Sequence, residues 1–103
     1  MKAPILQAQL FGGFSLSYDN IAITGVNSAR LQSFITFLIL QADSPQSRQQ
    51  VAFLFWPDTS EAQARNNLRQ YLFQLRHILP DANRFLQVDT NTIFWKSDEQ
   101  QNG

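Results

Sequence analysis

A chain of 103 residues with 44% hydrophobic content and nine phenylalanines reads as one folded domain with its own core, not as a disordered tail. Eight basic and eight acidic residues leave no net charge, which argues against indiscriminate coating of nucleic acid but leaves room for a local basic face. The absence of cysteine removes disulfides, thiolate metal sites and cysteine nucleophiles, and the longest apolar run, within Phe34 to Leu40, is far short of the roughly 20 residues that span a bilayer.

Leu6, Ala8 and Leu10 alternate with glutamines, which predicts a first strand, and Gly12-Gly13 punctuates it. Phe14, Leu16 and Tyr18 alternate with serines as a second strand. Asp19-Asn20 suits a two-residue hairpin loop, because both residues tolerate positive φ, and Ile21 and Ile23 follow as a third strand. Asn27 or Ser28 caps a helix to about Gln41, with Leu31, Phe34, Ile35 and Leu38 on one stripe. After the break at "DSP", Ser47 and Gln50 have capping-box spacing, and Val51, Leu54 and Phe55 are expected to be the buried face of a short second helix. Ser60 and Gln63 repeat that spacing at the start of a third helix, which Pro80-Asp81 stops near Leu79. "RFLQVDTNTIFW" predicts a hairpin with "DTNT" as its turn. The expected fold is therefore α+β, with an antiparallel sheet, three helices and a C-terminal hairpin, over residues 1–96. Residues 97–103 are expected to form a frayed polar tail.

On a wheel of about 100° per residue, Ala64, Leu68, Tyr71, Leu72, Leu75, Ile78 and Leu79 fall on one side of the third helix. Opposite them lie Asn66, Gln70, Phe73 and His77, flanked by Asn67 and Gln74. Arg65, Arg69 and Arg76 collect along one edge, within roughly 40° of one another. No acid follows Glu61 on this helix. Such a face has a chemical logic against duplex DNA. Amide side chains match the N6/N7 edge of adenine, arginines meet phosphates, Phe73 suits a thymine methyl group and His77 a phosphate. The plainer reading is a solvated helix in which Glu61 and Arg65 form an ordinary i, i+4 pair.

Other features weigh less. Arg48 opens the second helix and is a candidate phosphate contact, while Trp56 and Trp95 are expected to close the core. Gly12-Gly13 belongs to no phosphate-loop pattern. One histidine, no cysteine and scattered acids supply no nucleophile–base pair and no metal cluster, so neither catalysis nor a cofactor is expected. The start, "MKAPILQAQL", shows no signal peptide, so a soluble cytoplasmic protein with no membrane partner is expected.

Three stretches together, "LFGGFSLSYDNIAI", "QQVAFLFWPD" and "ARNNLRQYLFQLRHIL", resemble the N-terminal domain of the Streptomyces antibiotic regulatory protein family. The resemblance runs from about Leu6 to Trp95. It implies an OmpR-type winged helix-turn-helix in a transcriptional regulator, with the third helix in the major groove and the hairpin, or wing, at the minor groove. Carried over, Asn66, Asn67, Gln70, Phe73 and Gln74 face the groove, and Arg69 and Arg76 match basic positions. Trp56, Pro57, Asp58, Thr59 and Ser60 match a loop that faces RNA polymerase. With Arg48, Arg65 and His77, and with Arg84 and Lys96 at the wing's base, these complete the expected DNA surface. The resemblance also implies pairing on direct-repeat sites and a following helical activation domain. The chain departs from the family's pattern at Phe73, where a small polar residue is usual, at Gln74 or His77, where a basic one is usual, and at a wing tip that has Asp89 but no Lys or Arg. These departures imply weaker or differently specified DNA binding, and the neutral charge, bare wing and outward Phe73 favour an alternative role as a protein-interaction module.

Overall fold

The computed structural model describes residues 4–10 and 12–97. Within them the order is β1 (Leu6–Gln9), β2 (Ser15–Tyr18), β3 (Ile21–Ala22), α1 (Ala29–Leu40), β4 (Gln46–Ser47), α2 (Arg48–Phe55), α3 (Glu61–Ile78), α4 (Ala82–Phe85), β5 (Leu86–Val88) and β6 (Thr92–Trp95). The fold is α+β, with two three-stranded antiparallel sheets ordered β1-β2-β3 and β4-β6-β5.

The first sheet follows its alternation only in part. Leu6 and Leu16 point into the core and Gln7, Gln9 and Ser15 stay outside, but Ala8, expected to face inward, is exposed, and Leu10 lies beyond the end of β1. Asp19 and Asn20 take φ of 52° and 66°, the two positive values that a tight hairpin loop needs. The third strand is shorter than its pattern suggests: it stops at Ala22, and Ile21 is 71% exposed. Gly25 then turns the chain into α1 with φ of 101°, and a Cβ there would lie 3.4 Å from Cγ1 of Ile78.

Each long helix is started by a serine. Ser28, Ser47 and Ser60 Oγ accept from the backbone N–H of Leu31, Gln50 and Gln63 at 3.0, 3.2 and 3.1 Å. Leu31, Phe34, Ile35 and Leu38 are all buried, as the spacing in α1 predicts. In α2 the expected face is rotated. Val51 and Ala52 are buried, Phe55 is half-buried, and Leu54 is 57% exposed beside an exposed Phe53. α3 buries Ala64, Leu68, Leu72 and Leu75, while Tyr71 and Ile78 are half-buried.

Among the described residues there are four helices rather than three. Asp81 enters the left-handed region at φ 56° after Pro80, and one helical turn, α4, follows. That turn buries Phe85, whose ring stacks on Trp95 at 6.1 Å. Leu86, Ile93 and Trp95 then alternate inward, so β5–β6 is a hairpin whose apolar face lies on the core. β4 pairs with the other edge of β6, Gln46 opposite Ile93, and so attaches the hairpin to the start of α2. Trp56 is buried as well, 5.0 Å from the Tyr71 ring. Ser97, expected in the tail, is held to Asp43 through its N–H at 3.1 Å and its hydroxyl at 2.6 Å. The rest of the expected tail lies outside the described residues.

Candidate nucleic-acid interface

The capped start of α2, the first half of α3 and the tip of the β5–β6 hairpin enclose a cleft of about 800 Å³. Arg48 comes from α2, Arg65, Asn66 and Arg69 come from α3, and Thr90 and Asn91 come from the hairpin. Three arginines therefore line one opening whose lining contains a single acid, Glu61. Arg65 approaches that carboxylate at 4.0 Å, with both side chains well exposed, so the pair is weak and leaves Arg65 free to reorient. Among the described residues, no hydrogen bond or ion pair holds the Arg69 side chain.

The hairpin tip is closed by the side chain of Asp89. Asp89 Oδ1 accepts from the N–H groups of Asn91 and Thr92 at 2.8 and 2.7 Å, and Oδ2 accepts from the Thr92 hydroxyl at 2.9 Å. Hydrogen bonds from Asn91 and Thr92, with a smaller contribution from the Arg48 charge, hold this carboxyl below the usual aspartate range. Arg48 donates from Nη1 to the Asp89 carbonyl at 2.8 Å, and its backbone N–H donates to the Asn91 carbonyl at 2.9 Å. The carboxylate at the tip is thus occupied with its own turn, while Arg48 holds the backbone carbonyl of the same residue.

Further along α3, Gln70, Phe73, Gln74, Arg76 and His77 continue the exposed face. Phe73 is 63% exposed, and its ring lies 4.3 Å from that of His77. Asn67 is different. It is half-buried, and its Oδ1 accepts from Gln63 at 2.8 Å, which turns it away from the amides at the centre of the face. Arg76 donates to Asn83 of α4 at 2.6 Å.

Two expected contacts lie elsewhere. Arg84 donates to the Pro4 carbonyl at 2.7 Å and sits over the Phe85 ring at 5.1 Å, so it ties the N-terminal segment to α4. Lys96 follows the end of β6 away from the tip, beside Asp43, where its charge adds to the lowering of a carboxyl held mainly by Ser97. Neither lines the cleft. In the 56–60 loop, Trp56 is core, whereas Pro57, Asp58, Thr59 and Ser60 are exposed. A second depression, of about 600 Å³, lies between Phe53, Trp56, Pro57 and Thr59.

Thr90 and Asn91 of the hairpin line the cleft, although the sequence pattern did not place them there. The available signal was the polar turn itself, read there only for its lack of cations. Among the described residues no group of three potential metal ligands occurs, and no helix is long and apolar enough to cross a membrane. The chain matches no protein-family model, no curated protein and no solved structure.

Proposed function

We propose that this domain is the winged-helix reader of a transcriptional regulator, an activator, that binds duplex DNA at specific sequences. α3 enters the major groove and the β5–β6 hairpin approaches the adjacent minor groove. The observation that carries this reading is the cleft in which Arg48, Arg65 and Arg69 converge beside the acid-poor amide face of α3. Phosphates supply affinity there, and Asn66, Gln70 and Gln74 supply base contacts. The order of elements, with a strand between α1 and α2 pairing to the hairpin, supports the winged-helix assignment. Exposed Pro57 to Ser60 and the neighbouring Phe53 depression form the surface left for RNA polymerase.

A second reading has its own support. Phe53, Leu54 and Phe73 are large, apolar and exposed, and the hairpin tip carries no cation, which suits a protein-docking module with weak DNA binding. Selection from a random duplex library at two salt concentrations separates the two. Enrichment of a motif, with affinity falling steeply as salt rises, is the outcome for a DNA reader. No enrichment at either salt favours the docking module.

A further inference from the structure

The exposed face of α3 is polar except near Phe73, and its ring is not placed at random. Phe73 and His77 are one turn apart, and their ring centroids are 4.3 Å apart at a tilt of 44°. His77 Nδ1 lies 3.0 Å from the Phe73 carbonyl oxygen. A carbonyl only accepts, so the proton in that bond is on Nδ1, and in the neutral ring Nε2 is left as an acceptor. The two rings therefore form one fixed unit with an apolar body and a defined acceptor. Its nearest neighbours on the wheel are Asn66, Gln70 and Arg69.

The largest apolar group that a major groove offers is the 5-methyl of thymine, set among the donors and acceptors of the base edges. Resting on the DNA-binding reading above, we infer that the Phe73–His77 pair is a thymine-selecting element. Phe73 covers a thymine methyl, and His77 Nε2 accepts from an exocyclic amine of adenine or cytosine at the adjacent step. With ring centroids 4.3 Å apart, the two side chains are near enough to meet the same or neighbouring base steps, which rise about 3.4 Å each. This assigns the exposed phenylalanine a role in selectivity, distinct from the phosphate contacts of the arginines.

The test replaces each thymine of a selected duplex by deoxyuridine, which keeps every hydrogen-bonding group and removes the methyl. Affinities are measured by fluorescence anisotropy for the wild type and for Phe73→Ala, with circular dichroism to verify folding. At one position the wild type should bind the deoxyuridine duplex about fourfold more weakly, the fold-change that corresponds to ~0.8 kcal/mol for one buried methylene-sized group. Phe73→Ala should lose that difference while keeping the wild-type salt slope, and Phe73→Leu should keep part of it. Equal binding of thymine and deoxyuridine at every position, or the same penalty in Phe73→Ala, overturns the inference and leaves the DNA reading standing. Absence of duplex binding even at low salt, with self-association that Phe73→Ala abolishes, overturns both and makes the ring a protein contact.

Discussion

The two halves of α3 share one helix and one exposed face but differ in how that face is held. In the first half, Arg65 and Arg69 border an open cleft with Arg48, and only a weak pair with Glu61 competes for them. In the second half, Arg76 is drawn to Asn83 and the outermost surface is an aromatic pair. On the proposed reading, the contrast separates charge from selectivity along one helix: the arginines that border the cleft would meet phosphates, and the aromatic pair beyond it would meet a base edge.

The largest expected effect sets the inward side of the helix against the outward one. Leu75→Ala, at a fully buried position, should cost ~2–5 kcal/mol in chemical denaturation. Phe73→Ala, two residues away but exposed, should stay within about 0.5 kcal/mol of wild type. A large loss at Phe73 would mean that its ring supports the fold. Next in size, Gln70→Ala should relax base preference at one position by roughly 1–3 kcal/mol in duplex titrations. Uniform weakening over all duplexes would return Gln70 to the non-specific contacts.

The cations give a finer division. Arg69→Ala should lower the slope of log affinity against log salt by about one, as one lost phosphate contact requires, and Arg65→Ala should do the same. Arg76→Ala should move the slope less, because its guanidinium is already directed to Asn83. Equal slopes for Arg69→Ala and Arg76→Ala would erase the difference between the halves.

The smallest effect is at the hairpin tip. Asp89 has its carboxyl held below the ordinary 3.8 by hydrogen bonds from Asn91 and Thr92, so folding favours its ionised form. That contribution is complete above the unfolded value and is lost as pH falls through the lower folded one. The amide protons of Asn91 and Thr92 should therefore lose protection from exchange at acid pH, and in Asp89→Ala they should lack it at neutral pH. Unchanged protection in Asp89→Ala would show that strand pairing alone holds the tip.

What was legible in the sequence depended on length and on distance. α1 and α3 run long enough for the 3.6-residue period to fix their buried stripes, and the serine caps mark where they begin. In the eight residues of α2, Val51 with Leu54 and Val51 with Phe55 fit that period equally well, and Leu54 proved exposed. Two-residue β4 and one-turn α4 have no period to read. At the site, the arginine flank follows from helix geometry alone. The cleft does not, because it depends on the hairpin folding back beside α2, and Arg84 finds its acceptor 80 residues away at Pro4.

The N–H of Arg48 and its guanidinium bond the hairpin at Asn91 and Asp89, while Gln46 and Ser47 pair with β6. The hairpin therefore has no hinge of its own relative to α2, and α2 packs on α3 through shared core residues. Helix and hairpin behave as the two jaws of a caliper locked at one opening. If the domain binds DNA as proposed, a duplex held by both must fit that width, and sites that differ in groove dimensions would be sorted before any base is touched.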